Sequence, residues 1–196
     1  MNRTAIIILA AGASSRMGQP KQLLAFKNSI LLKHVAEEAQ KSGMRVFIIL
    51  GANEQKIKKE LENVRAEIIF NERWGNGLST SIKAGLEKAL ENDSDTENFI
   101  FCVCDQPYIS ADLFKRLMHK KKVSGKKIIA CSYAGTSGTP VLFDIKYFDA
   151  LMNLQGDEGA KKLLQIYRED VAFITFEKGK VDIDTKADYE DLLKAI

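Results

Sequence analysis

Two cations and a carboxylate are placed in this chain so that they could handle a polyphosphate. Arg16 and Lys21 follow the run Leu9-Ala10-Ala11-Gly12, and Asp105 directly follows the apolar run Phe99-Ile100-Phe101-Cys102-Val103-Cys104. Small residues let a backbone approach a ligand closely, and nearby cations neutralise phosphate oxygens. A carboxylate at the end of a strand suits Mg²⁺ shared with phosphate, because this hard cation prefers oxygen ligands and commonly keeps waters. Asp182 and Asp184 alternate as on a strand, so their side chains share a face. One of them could complete a metal site while the other caps the last helix.

The spacing excludes two familiar phosphate loops. No Gly-Lys-Ser/Thr follows Gly12, and Gly12 with Gly18 lacks the third glycine of a dinucleotide fingerprint. Three further loops carry small or polar residues. Asn71 to Ser81 contains Gly75, Gly77 and the hydroxyls of Ser79, Thr80 and Ser81, and leads into a helix whose amino end favours anions. Gly135 to Pro140 reads as a turn, and Gly156 to Lys161 leads into a helix start able to receive a second anionic substrate. His34 and His119 have no catalytic partner in the pattern.

Segments with strand and helix character alternate to position these residues. Strands are expected near 6–11, 46–50, 66–70, 99–104, 127–132, 140–143 and 171–176. Helices are expected over 29–42, 54–63, 78–90, from Ser110, near 145–153, over 159–167 and over 186–196. That alternation predicts an α/β fold with a mainly parallel sheet covered on both faces, and some antiparallel pairing in the later half. Ligands of such sheets bind beyond the carboxyl ends of the strands, where Gly12–Lys21, Asn71–Ser81 and Asp105 can converge. With no repeat or Pro/Ser-rich linker, residues 1–196 read as one domain.

The composition narrows the classes. A net charge of +3, from 29 Lys and Arg against 26 Asp and Glu, is too small to argue for nucleic acid. The apolar run Ala5 to Ala11 is too short for a membrane span. Cys102, Cys104 and Cys131 lack metal-ligand spacing, which points to reduced thiols and a cytoplasmic setting.

Together the motifs Leu9-Ala-Ala-Gly-x-Ser-x-Arg-Met-Gly-x-Pro-Lys21, Trp74-Gly-x-Gly-Leu-x-x-Ser81, Asp105-Gln-Pro107, Gly138-Thr-Pro140, Gly156-Asp-x-Gly-Ala160 and Asp182-Ile-Asp-Thr185 carry a resemblance. The chain resembles the MobA-like nucleotidyltransferase family, and within it the MocA-type molybdenum cofactor cytidylyltransferase branch. The resemblance implies a Rossmann-like three-layer fold that transfers CMP from CTP to the phosphate of molybdopterin and releases pyrophosphate. It implies nucleotide contacts from Leu9, Ala10, Ala11, Gly12, Arg16, Lys21, Gly77 and Ser81, with Arg16, Lys21 and Asp105 catalytic. The acceptor would meet Gly138, Thr139, Pro140, Gly156, Asp157, Gly159 and Ala160. Mg²⁺ would sit on Asp105 with Asp182 or Asp184, and a molybdoenzyme would be the client. Ala10-Ala11, rather than a Gly-Gly pair, resembles the pyrimidine-using members. Sugar, polyol or other cofactor phosphates are alternative acceptors, and a non-catalytic cofactor delivery protein is the reading from a different class.

Overall fold

The computed structural model describes residues 3–195, so the ends of the 1–196 span and the Ile196 terminus expected for the last helix lie outside the described residues. The first strand, β1 (Thr4–Ala10), is buried at all seven positions, because both faces of the sheet are covered. A two-residue hairpin, β2 (Ala25–Phe26) with β3 (Ser29–Ile30), precedes α1 (Leu31–Lys41). The helix therefore starts at Leu31 rather than Ser29, since Ser29 and Ile30 are extended and paired. There follow β4 (Arg45–Leu50), α2 (Glu54–Lys59), β5 (Glu67–Phe70) and α3 (Leu78–Asn92). Next come β6 (Asn98–Val103), α4 (Ala111–Ser124), β7 (Ile128–Tyr133) and β8 (Thr136–Asp144). The chain continues through α5 (Phe148–Met152), α6 (Ala160–Ile166), β9 (Val171–Thr175) and α7 (Lys186–Lys194).

Seven strands form one sheet in the order β5-β4-β1-β6-β8-β7-β9. All run parallel except β8, which is antiparallel to both β6 and β7. From β1 the chain first builds outward through β4 and β5, then returns to add β6 on the other side. That reversal makes the carboxyl ends of β1 and β6 the switch point, where an open α/β sheet has a crevice for a ligand.

Alternate residues of the central strands feed two cores. Ile6, Ile8 and Cys102 pack with Val35 of α1 and Phe114 of α4, while Ile7, Phe99 and Phe101 pack with Leu86 of α3 and Leu163 of α6. Gly85 marks the closest approach of α3, since a Cβ there would lie 2.5 Å from Ile7 Cγ2. A third cluster joins Met17, Leu24, Phe26 and Leu31 to Ile183 and Leu192. It is smaller, but it ties the loop after β1 to the segment before α7.

The expected turn over 135–140 is different in the structure. Thr136 to Pro140 lies within β8, and the reversal is at Ala134 and Gly135, both with positive φ. A register shift between Ala130 and Cys131 leaves Thr139 and Pro140 without partners on β7. A bulge of this kind is where a proline is tolerated inside a sheet.

Candidate active site

The turn after β1 is shaped by its own carbonyls. Gln22 is almost fully buried, and its Nε2 donates to Ala10 O at 2.8 Å and Gly12 O at 2.9 Å. The intervening Ala11 O accepts from Ala52 N at 3.0 Å. Three successive carbonyls are thereby engaged by the protein, where an anionic ligand does not meet them. Ser14, in the left-handed region at φ 55°, accepts from Lys21 N at 3.1 Å and closes the loop. Met17 plugs the loop into the third apolar cluster, leaving Arg16 exposed on its outside.

Lys21 sits at the meeting point of the charges. Its ammonium bonds Asp105 Oδ2 and lies 3.1 Å from Asp184 Oδ1, while Arg16 Nη2 donates to Asp184 Oδ2 at 2.8 Å. Burial alone would lower the Lys21 pKa, but the Asp105 carboxylate and its hydrogen bond, with help from Asp184, raise it well above that of a free lysine. Burial would likewise raise the Asp184 pKa, and Lys21 and Arg16 together hold it below the usual carboxylate range. For Asp182, burial, Asp105 and Asp184 all push the pKa upward. Among the described residues Asp182 makes no ion pair.

The backbone explains how Asp184 reaches Lys21. Ile183 N donates to Asp105 O at 3.0 Å, which lays the segment before α7 against the end of β6. The cap of α7 is Thr185, in a reciprocal capping box with Asp188. Neither Asp182 nor Asp184 caps the helix, contrary to the sequence expectation. Thr185 supplies the hydroxyl, so Asp184 is left to face the cations.

The opposite wall is built from two loops that interlock. Gly77 has φ 101°, and a Cβ on it would fall 2.3 Å from the carbonyl carbon of Gly156. Ser79 N donates to Gly156 O at 2.9 Å, and Leu78 packs where a Gly159 side chain would be. Asn71, buried, donates to Thr80 Oγ1 at 2.8 Å and Ser81 Oγ at 3.0 Å, which fixes the start of α3. Two of the three hydroxyls of this loop are thus engaged within the protein.

Between the walls lies an open cleft of about 570 Å³ at the switch point. Leu9, Ala11, Gly12, Lys21, Gly77, Ser81, Asp105 and Asp157 line it, together with Trp74 and Leu78. Ala10 is behind the surface, and Gly156, Gly159 and Ala160 support the wall rather than line it. Gly138, Thr139 and Pro140 are on β8 outside the cleft, where Thr139 Oγ1 donates to Gln106 Oε1 at 3.2 Å. Asp182 faces a separate groove beside Tyr108 and Lys180. Gln22, Asn71 and Gln106 are structural amides that sequence reasoning missed, because a polar side chain carries no sign of its burial. His34 is half-buried against Phe26, and His119 is exposed on α4.

Among the described residues, no group of three or more His, Cys, Asp or Glu side chains gathers closely enough to hold a metal ion. Asp105 and Asp184 nevertheless converge on one cation, the Lys21 ammonium. This hard, all-oxygen donor pair fits a divalent cation that completes its shell with phosphate oxygens and water. The three cysteines are buried and free, and burial pushes the Cys104 and Cys131 thiols up to about 12.

Residues 6–171 match the MobA-like NTP transferase domain. The nicotine blue oxidoreductase of Paenarthrobacter nicotinovorans is 30% identical over 172 residues, spanning 81% of this chain and 80% of that protein. The molybdenum cofactor cytidylyltransferase of Escherichia coli strain K12 is 28% identical over 137 residues, spanning 69% of this chain and 67% of that one. The crystal structure of a Mycobacterium tuberculosis Rv0371c homologue from Mycobacterium sp. strain JC1 superposes with a TM-score of 0.84 at 29% identity, covering 99% of this chain and 96% of that one. With a matched domain over most of its length and the Rossmann-like nucleotidyltransferase fold, this chain belongs to the MobA-like NTP transferase family.

Proposed function

We propose that this protein transfers CMP from CTP to the phosphate of molybdopterin, with release of pyrophosphate. The observation that carries the reading is the convergence of the Gly12 turn, Lys21, Asp105 and Ser81 on one cleft at the switch point. The relative named a molybdenum cofactor cytidylyltransferase supports the choice of donor and acceptor.

The acceptor brings its own nucleophile. A phosphate monoester has a second pKa of about 6 and is largely dianionic near neutral pH, so its oxygen can attack the α-phosphorus without a dedicated base. Neither histidine lines the cleft, in keeping with such a reaction. Attack forms one P–O bond as the bond to the leaving pyrophosphate breaks, and the protein's part is alignment and neutralisation of charge. Lys21 supplies that neutralisation from inside the cleft, and Arg16, exposed and bonded to Asp184 outside the cleft lining, would turn to join it. The turn from Ala10 to Gly12, its carbonyls engaged by Gln22 and by the Ala52 backbone, receives the nucleotide. Ala11 lines the cleft, with Ala10 behind it, and its methyl leaves less room at the base than a glycine would, which favours a pyrimidine. Asp105 and Asp184 would hold Mg²⁺, which when bound withdraws charge from the phosphate oxygens. Asp157 and the Trp74–Leu78 wall face the remaining space and would meet the acceptor, with Gly156, Gly159 and Ala160 behind them. Gly138, Thr139 and Pro140 would act on the acceptor only from the neighbouring β8.

A pyrophosphate-release screen tests this, crossing CTP, GTP, UTP and ATP with molybdopterin and with sugar and polyol phosphates. CTP with molybdopterin is the expected pair. Faster release with a sugar or polyol phosphate would reassign the acceptor. Tight molybdopterin binding with no release from any nucleotide would replace the reading with a delivery protein. A faster reaction with GTP would refute the donor assignment.

A further inference from the structure

A buried amide next to Asp105 is bonded to parts of the chain that do not line the cleft. Gln106 is only 3% exposed. Its Nε2 donates to Gly179 O at 3.0 Å, and its Oε1 accepts from Thr139 Oγ1 at 3.2 Å. Tyr133 Oη, 3.4 Å from Nε2, completes the group. A carbonyl can only accept, so Gly179 fixes which way the amide faces, and Oε1 then needs the Thr139 hydroxyl as its donor. Gly179 allows the approach, since a Cβ on it would lie 2.6 Å from ring carbons of both Phe176 and Tyr133. The register shift beside β8 leaves Thr139 without a partner on β7, and bulges of this kind re-aim a side chain. Here the side chain is turned to Gln106.

We infer that Gln106 is a positioning residue, oriented by Thr139, that holds the segment carrying Asp184 against the end of β6 and so sets the spacing of the Asp105 and Asp184 carboxylates. This rests on the reading of those carboxylates as metal ligands and adds what keeps them together. Among the described residues, two hydrogen bonds run from Asp105 and Gln106 to that segment. One is Ile183 N to Asp105 O at 3.0 Å, and the other is Gln106 Nε2 to Gly179 O. Asp182 lies between the two bonded positions, and its charge is opposed by those of Asp105 and Asp184. Like charges would push the segment away from β6. Neutral hydrogen bonds resist that push without adding a charge beside the metal ligands. The inference also gives Thr139 a part in the site although it lies outside the cleft, because it acts through Gln106.

The tie predicts weakened metal binding with nucleotide binding spared. Mn²⁺ is the metal probe, followed by the electron paramagnetic resonance of the free ion in the presence of non-hydrolysable α,β-methylene CTP. Titration calorimetry with the same analogue in metal-free buffer reads nucleotide binding by itself. Gln106→Leu should weaken Mn²⁺ retention by about tenfold, the scale of one buried hydrogen bond, and leave metal-free analogue binding near that of wild type. Thr139→Val, which removes the donor to Oε1, should act in the same direction, and Thr139→Ser should restore what it loses. Gln106→Leu combined with Thr139→Val should be no worse than Gln106→Leu alone, because both act through one contact. Urea denaturation establishes which variants are folded, and the two Thr139 variants carry the test if Gln106→Leu is not.

Wild-type retention of Mn²⁺ by the folded Gln106→Leu or Thr139→Val protein would overturn the inference. Equal losses of Mn²⁺ retention and of metal-free analogue binding would overturn it too, since they mark a general loosening. So would a Thr139→Ser protein as impaired as Thr139→Val. The parent reading is scored separately, by Asp105→Asn with the nucleotide analogue. If that variant retains Mn²⁺ as wild type does, or if wild type retains none, both readings fall. If it loses Mn²⁺ while the Gln106 and Thr139 variants keep it, only the positioning role fails.

Discussion

Lys21 shows how opposing forces are settled at a single residue. Desolvation disfavours its charge, yet one close carboxylate and a second within 3.1 Å keep it protonated. Lys21→Ala and Asp105→Ala should both fold but lose about a hundredfold or more in pyrophosphate release, as expected when a charge-stabilising group is removed. Wild-type rate from either folded variant would remove that residue from the chemistry. The neighbouring aspartates should differ in their response to pH. Asp184 has a depressed pKa, so its stabilisation is present above the ordinary carboxylate value and is lost as pH falls through the folded value. Asp182 has a raised pKa, so its ionised form is the strained one at neutral pH. Asp182→Asn should therefore raise stability at pH 7 slightly, by less than about 1 kcal/mol given its exposure to solvent. Asp184→Asn should lower it, and urea denaturation at pH 7 compares the two. Gln22 makes a different point, since among the described residues its amide is the only side-chain donor to the Ala10 and Gly12 carbonyls. Gln22→Leu should cost about 2 kcal/mol by leaving buried acceptors unpaired, and should weaken nucleotide binding as the turn relaxes. Calorimetric titration with CTP alongside chemical denaturation would show both effects, and unchanged affinity would contradict the assigned role.

Most elements could be read from periodicity, but some of what positions the site could not. The runs 46–50 and 99–104 announce buried strands, and Gly43 and Ser110 mark helix ends, because these signals are local. The β2–β3 hairpin escaped notice because two-residue strands have no period to detect. Thr136 to Pro140 resembled a turn because Gly, Thr and Pro are loop residues. Their place in β8 is decided by pairing with β7 and by the bulge that accommodates Pro140. The interlock of Gly77 with Gly156 was equally hidden, since it joins residues far apart in the chain. It is also open to a direct test. Gly77→Ala combines φ 101° with a Cβ 2.3 Å from Gly156, and should destabilise by about 2 kcal/mol or more. Gly125→Ala, with φ 70° and open space around it, should lose only about 1 kcal/mol from its backbone conformation. If the two losses are equal, the loops do not interlock as described. Only Gly77→Ala should also weaken nucleotide binding, because only Gly77 belongs to the cleft wall.

Across the whole molecule, topology assembles the site and packing gives it rigidity. Reversal of strand order between β1 and β6 opens the crevice, and the two large cores hold those strands between helical layers. The third cluster clamps Met17 against Ile183 and Leu192, so that Arg16, Lys21 and Asp184 share one mounting. Asp105 reaches the same point from β6, and its backbone carbonyl is bonded to Ile183. Residues separated by much of the chain thus meet as paired charges beside one cleft. The sequence alone indicated the participants through their motifs, but not that Lys21 and Asp184 are paired or that Thr185 relieves Asp184 of capping. Under the proposed function, Asp157, Trp74 and Leu78 of the cleft lining would select the acceptor phosphate by shape. The direct test is label transfer from CTP carrying ³²P at the α-position, incubated with Mg²⁺ and molybdopterin. The account predicts a labelled molybdopterin cytosine dinucleotide formed in step with unlabelled pyrophosphate, and no such product from the Asp105→Ala protein. Labelled CMP appearing free in solution, with no label on the acceptor, would contradict it.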